Sequence, residues 1–328
     1  MNWFYLEYII VAVGLFLFLL IYFRIAEKFK IIDVPNHRSQ HFEITLRGGG
    51  VVYPAAFLFF AVSLIFNPPS TAQNFLIFGA GLLIICIISF IDDIRSLSSR
   101  LRLVFHFIAV SLLLYFVNAF AILPYWSIPL LFIVTIGVLN SYNFMDGING
   151  ITGLYSLMNL ASLLFVNEKV AHFTDSRFII YPLLASVVFL FFNFRKKARC
   201  FMGDVGSLGI AFWILALLGL LIIKTEEIKW ILFLTVYGVE TVLTIIERLK
   251  LKENIFDAHR RHLYQLLANE KKIDHRLISL SYAALQLLIN SLVIKLTAES
   301  WFLFAVIIIS TIATYVLIKI TLKENLRL

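Results

Sequence analysis

The chain has 328 residues, of which 61% are hydrophobic and 15% charged, with a formal net charge of +8. Charged residues make up about 25% of a typical water-soluble domain, so this composition excludes one and fits a chain immersed in lipid. Two cysteines, Cys86 and Cys200, are too few and too badly placed for a disulfide framework or a thiolate metal site.

In chain order, membrane-spanning helices are predicted at 7–23, 49–66, 75–91, 103–121, 124–142, 151–166, 176–194, 205–223, 229–246, 277–296 and 301–318. Each approaches the length of about 20 residues that a bilayer requires. The first lacks a basic leading region and a small-residue cleavage site, so it reads as a retained helix. With the first connection on the cytoplasmic side, that side holds 23 Lys and Arg residues and the opposite side 5. The asymmetry predicts an outside N-terminus and a cytoplasmic C-terminus. The net charge then serves contact with anionic headgroups and needs no nucleic-acid partner. The predicted fold class is all-α, a single polytopic domain over 1–328 with about eleven transmembrane helices. Its cytoplasmic loops are 24–48, 91–102, 143–150, 195–204 and 247–276.

Chemistry-bearing residues gather in those loops. The first holds His37 and Arg38, then Arg47-Gly48-Gly49-Gly50. The glycines either offer backbone N–H groups to a phosphate or let helices pack closely. Asp92-Asp93 closes the third span. Two adjacent carboxylates against apolar sequence repel each other unless a cation or basic partner is present, and Mg2+ is the hard cation that oxygen ligands suit. Asn143 and Asp146 fall three apart in a loop without Lys or Arg. They either read a base or sugar hydroxyls, or cap helix ends.

Asp204 sits between Gly203 and Gly206 at the start of the eighth span, on the side that holds Asp92 and Asp93, so a shared metal site is one reading and capping the other. His259 and His262 share a face if their segment is helical, and with Arg260 or Arg261 they suit a diphosphate. Glu240 lies inside a predicted span, where an acid is costly. It is read either as a substrate contact or as a structural hydrogen-bonding group, with Thr241 and Thr244 as partners.

In order along the chain, Asp92-Asp93, Asn143-Phe144-Met145-Asp146-Gly147, Phe201-Met202-Gly203-Asp204-Val205-Gly206-Ser207 and His259-Arg260-Arg261-His262 stand between matching spans. This pattern resembles the polyprenyl-phosphate N-acetylhexosamine-1-phosphate transferases, the membrane family that includes the phospho-MurNAc-pentapeptide transferases. The likeness runs from Asp33-Val34-Pro35-Asn36 to His262. It implies ten or eleven spans, a cytoplasmic cleft in a bacterial inner membrane, and transfer of a sugar 1-phosphate from a UDP-sugar to undecaprenyl phosphate with release of UMP.

The resemblance also implies Asp92, Asp93 and Asp204 as catalytic residues, and Asp204 with Asp93 as ligands of Mg2+, for which Mn2+ substitutes. Arg38, Arg47, Asn143, Asp146, His259, Arg260 and His262 are implied as substrate-binding residues. Homodimerisation is left open. Asn149 replaces a frequent Asp of the family, which is expected to weaken one contact. The His259–Gln265 tract looks closer to the branch that initiates O-antigen and other surface glycans, so a small UDP-N-acetylhexosamine is the expected donor. UDP-MurNAc-pentapeptide is the alternative. A secondary transporter is the rival from another class, and it requires acids spread through the membrane midplane.

Overall fold

Inside a bilayer an apolar run finds no water for its backbone, so it coils until its own N–H and C=O groups are paired. The computed structural model describes residues 3–33, 44–69, 73–254, 259–296 and 300–326. All eleven predicted stretches are helical there. The helices are α1 (Trp3–Phe29), α2 (Val52–Phe66), α3 (Phe75–Ile94), α4 (Ser99–Phe116), α5 (Ala119–Ile122), α6 (Ile128–Met145), α7 (Ile151–Lys169), α8 (Arg177–Asn193), α9 (Asp204–Thr225), α10 (Thr235–Lys250), α11 (Leu263–Asn269), α12 (His275–Lys295) and α13 (Ser300–Leu326). A short antiparallel ribbon pairs β1 (Ile32–Asp33) with β2 (Thr45–Leu46). The chain is a multi-pass, all-α membrane protein.

Among the described residues, nine helical segments are long and apolar enough to cross a membrane. The other two of the eleven have physical reasons to differ. Helix α8 has only 17 residues. Helix α7 buries Thr152, Ser156, Asn159, Ser162 and Asn167. It is flanked by α8 and α12, so it meets protein where other helices meet lipid, and hydrogen bonding replaces apolar contact.

Three details depart from the predicted spans. Helix α4 stops at Phe116, short of 121, because Asn118 takes a left-handed turn with φ 63°. The span at 229–246 begins as a 3₁₀ segment, Ile228–Leu234, before α10. Gln286 of α12 bridges that junction: its Oε1 accepts from Val236 N at 3.0 Å and its Nε2 donates to Leu232 O at 3.0 Å. Residues 259–261 are not helical, and His262 immediately precedes α11, so the histidine pair does not share a helix face.

Helix α9 is the axis of the bundle. Leu208 through Ile214 are buried without interruption, against α2, α3, α6 and α7. Phe78, Phe178 and Trp213 interlock beside it, with Phe78 and Phe178 edge-to-face at 4.8 Å. Such pairs add directional attraction to area burial. Cys86 and Cys200 are both free and buried. The start of α9, where the axis meets the ends of α3 and α6 and the beginning of α2, is where the acids converge.

Candidate active site

The glycines on either side of Asp204 set the site. Gly203 has φ +72°, and a Cβ there would stand 2.6 Å from Asp93 Oδ2, so only glycine lets the carboxylate approach. Asp93, its side chain fully buried, accepts from Asp204 N at 3.1 Å and Val205 N at 3.3 Å. It thereby supplies the negative charge that the N-terminus of α9 favours. Arg47 Nη2 lies 2.8 Å from Asp93 Oδ1 and 3.7 Å from Asp204 Oδ1. Burial disfavours the guanidinium charge, but Asp93 and Asp204 outweigh it and hold its pKa above the usual arginine value.

Arg47 arrives there because β2 docks on the loop before α9. Phe201 N donates to Leu46 O at 2.8 Å, Gly49 N to Phe201 O at 2.8 Å, and Gly50 N to Met202 O at 2.9 Å. The amides of Gly49 and Gly50 are therefore spent on protein carbonyls, and a Cβ on Gly50 would collide with the backbone of Gly206. Of the two readings of this glycine run, close packing is the one the structure contains. Arg38 and His37 lie outside the described residues.

The neighbouring carboxylates face different partners. Asp92 Oδ1 accepts from Leu97 N at 2.6 Å and Oδ2 from Arg102 Nη1 at 3.0 Å, so it pins the α3–α4 turn. Asp204, with its side chain 23% exposed, borders two cavities. One is a basin of about 280 Å3 walled by Arg47, Asn143, Asp146, Asn149 and Asp204. The other is a crevice of about 20 Å3 between α3, α4, α6 and α9, walled by Asp92, Arg102, His106, Asn140, Asn143 and Asp204. Asp92, Asp93 and Asp204 thus meet at one end of the bundle. Asn143, whose Nδ2 donates to Ser207 Oγ at 3.4 Å, borders both cavities as well.

Asp146 follows the last residue of α6 and faces the basin. Desolvation pushes its carboxyl up to about 7. The nearby Asp204 and Asp93 act in the same direction, while a hydrogen bond to Thr152 and the charge of Arg47 oppose it. Asn149 uses its amide to donate to Arg195 O at 2.9 Å, a bond an aspartate could not make. Asn149 thereby ties the basin rim to the end of α8.

The histidine segment packs beside the basin. His262 is 2% exposed and its ring is 5.0 Å from that of His259. Neither ring lines the basin, whereas Gln265 and His275 do. Burial, reinforced by His262 and Arg248, holds His259 down at about 4, so near neutrality it is an uncharged imidazole. Arg260 is exposed.

Glu240 is buried and structural. It accepts from Tyr264 N at 3.3 Å and from the Tyr282 hydroxyl, with His262 Nδ1 at 3.7 Å. Tyr264 in turn donates its hydroxyl to Phe144 O at 2.9 Å, seated against Gly147. Thr241 and Thr244, expected as Glu240 partners, bond Ser141 and Tyr315 instead.

Sequence reasoning missed Gln265 and His275, whose roles depend on where α11 and α12 dock. It also missed Arg102 and His106. His106 had a legible signal, since it is a titratable residue inside a predicted span, the criterion that singled out Glu240.

A family model described as glycosyl transferase family 4 matches residues 75–223. Over 318 residues the chain is 25% identical to a probable undecaprenyl-phosphate N-acetylglucosaminyl 1-phosphate transferase of Bacillus subtilis, covering 91% of this chain and 86% of that one. It is 30% identical over 239 residues to a phospho-N-acetylmuramoyl-pentapeptide-transferase of Thermotoga neapolitana, covering 66% of this chain and 76% of that one. The matched region spans Asp92, Asn143, Asp146 and Asp204, which line the two cavities, and Asp93, which is buried beside them. With those residues in one cluster and the likeness extending through most of both proteins, the chain belongs to glycosyl transferase family 4.

Proposed function

We propose that the chain transfers an N-acetylhexosamine 1-phosphate from a UDP-sugar to undecaprenyl phosphate at the cytoplasmic face of a bacterial inner membrane. The activities for which the relatives are named support the reaction class. The observation that carries the reading is the position of Asp204, the partly exposed carboxylate shared by a large polar basin and a narrow crevice at one end of an apolar bundle. Two reactants of unequal size, both bearing phosphate, can be brought to one carboxylate from two compartments.

An acceptor phosphate oxygen attacks the donor phosphorus that carries the sugar. The bond from that phosphorus to the bridging oxygen breaks, and the electron pair leaves with UMP. The acceptor monoester is largely ionised near neutrality, its second pKa being about 6, so no strong base is required. Arg47 provides fixed positive charge beside the reacting phosphates, and Asp93 holds both Arg47 and the start of α9 in place. Asp146 and Asn143 offer polar groups to the nucleotide in the basin.

The arrangement suits Mg2+, with Mn2+ as substitute. Mg2+ takes one or two protein carboxylates and completes its shell with phosphate oxygens and water. Asp204 is the carboxylate that would hold the ion. Asp93, expected as a second ligand, already gives its oxygens to α9 and Arg47, so we assign it the bracing role. When bound, the ion neutralises phosphate charge as the bond between the donor phosphates breaks.

We assign a small UDP-N-acetylhexosamine as donor, with the product starting a surface glycan. The likeness to the Bacillus transferase over 91% of the chain supports this. The 30% identity to a pentapeptide transferase favours UDP-MurNAc-pentapeptide as a second reading. Purified protein with undecaprenyl phosphate, Mg2+ and a panel of UDP-sugars tests both. Mg2+-dependent UMP release with a UDP-N-acetylhexosamine is the expected result. Release only with the pentapeptide donor selects the second reading. Solute transport without UMP release from any donor overturns the proposal in favour of a transporter.

A further inference from the structure

Asp146 follows the last turn of α6, where its backbone N donates to Asn143 O at 3.3 Å, a bond that leaves the side chain free to rotate. The group that reaches its carboxyl is Thr152, at the start of α7 and fully buried. Serine and threonine hydroxyls inside helices commonly turn back on the carbonyl four residues earlier. Ser162 does so at Met158 O, 2.8 Å away, and Ser186 at Pro182 O, 2.9 Å away. Thr152 turns across the bundle instead, and its Oγ1 lies 3.3 Å from the Tyr237 hydroxyl of α10. With Thr152 donating to Asp146, Tyr237 donates to Thr152, and each bond in such a chain polarises the next.

Tyr237 is itself immobilised. It is 1% exposed, stacks on Tyr155 at 3.8 Å with an interplanar angle of 4°, and meets Tyr142 edge-on at 5.1 Å. Tyr155 donates its hydroxyl to Gln286 Oε1 at 2.9 Å, the same oxygen that accepts from Val236 N where the 3₁₀ segment becomes α10. Helices α6, α7, α10 and α12 thus fix one hydroxyl behind the basin wall. Burying that hydroxyl is costly unless its proton finds an acceptor. Packing of α7 against α10 and orientation of the Asp146 carboxyl are therefore one requirement.

We infer that Thr152 and Tyr237 are positioning residues for the donor, holding the Asp146 carboxyl in the orientation from which it meets the nucleotide in the basin. This rests on the proposed transfer reaction. Neither side chain lines the basin, so both act through Asp146. A carboxyl fixed before the donor arrives removes an ordering cost from binding. Loss of either hydroxyl should therefore weaken donor binding and spare the acceptor.

The test is the full-length protein in detergent, assayed for UMP release with each substrate varied in turn. Thr152→Val keeps the shape and removes the hydroxyl. It should raise the donor KM about tenfold, the scale of one hydrogen bond to a charged group, with kcat and the acceptor KM within about twofold. Thr152→Ser, which retains the hydroxyl, should recover most of that loss. Tyr237→Phe keeps the ring stack and should raise the donor KM about threefold, since its bond acts one step further from the carboxyl. A double-mutant cycle separates positioning from packing. In an Asp146→Ala background, Thr152→Val should add nothing to the donor KM, because the group it acts through is gone.

An equal effect of Thr152→Val with and without Asp146 overturns the inference, since it marks a packing defect. An unchanged donor KM in both Thr152→Val and Tyr237→Phe overturns it too, as does a rise in both substrates' KM together. If the wild-type protein releases no UMP from any donor, the transfer reaction itself has failed and the positioning role falls with it. Normal wild-type turnover with insensitive variants removes the positioning role alone.

Discussion

Where α7 hands over to α8, Arg177 closes on Asp175 through Nη2 at 2.6 Å and Nε at 3.0 Å. Nη2 also donates to Asn67 O at 2.8 Å, and Nη1 donates to Ser63 O at 3.5 Å. Asn167 beside it is fully used, accepting from Phe173 N and Thr174 N while donating to Thr174 O and Ser176 Oγ. At the other end of the bundle, Arg47 stands between Asp93 and Asp204, with Asp146 on the same basin wall. The first cluster balances donors with acceptors over a short stretch of chain. The second has more carboxylates than cations and encloses space. Both are polar groups held among apolar helices, but only the unbalanced one has capacity left for a ligand, which is why buried charge alone does not mark a site.

Substitutions at the two ends should separate accordingly. The largest effect is expected for Asp204→Asn, which keeps size and hydrogen bonding but removes the charge. UMP release should fall about a thousandfold, the scale on which preorganised electrostatic groups act, with thermal stability close to wild type. Near-normal turnover would place the chemistry elsewhere. Asn167→Ala should do the reverse, costing about 3 kcal/mol of stability by orphaning buried backbone groups while kcat and both KM values stay put. A lower Tm in detergent would register it, and a specific loss of turnover would erase the contrast between the ends.

Asp146→Asn should give the smallest effect, and one that depends on pH. The folded carboxyl lies near 7 against an ordinary value of 3.8, so the native state binds a proton that the unfolded chain releases. Wild-type stability therefore falls as pH rises through that window, then levels off. The Asn variant lacks this slope, and its Tm relative to wild type should be higher at pH 8 than at pH 5. A constant difference would mean the carboxyl is not desolvated.

Much of this was legible in the chain because a bilayer imposes one rule on every span. Apolar length therefore identified eleven helices, and acids at their ends marked Asp92, Asp93 and Asp204. Periodicity and motif order are local properties that survive without coordinates. The choices that the sequence left open concern what a side chain meets across the bundle. The glycine run at 48–50 packs on α9, Asp93 is consumed by the α9 amides, and Glu240 anchors the histidine segment. Nothing in the sequence near those residues names their partners, which lie far along the chain.

Sequence by itself determined that the chain is a helical membrane protein with acids gathered at its helix ends, since hydrophobic length and charge order need only the solvent to act on them. Tertiary structure alone decided how those acids divide the work: two adjacent aspartates turn to different helices, and one distant aspartate is left between two cavities. The reason is that a carboxylate's role is set by which donors reach it within hydrogen-bonding distance, and that depends on helix packing rather than on order along the chain.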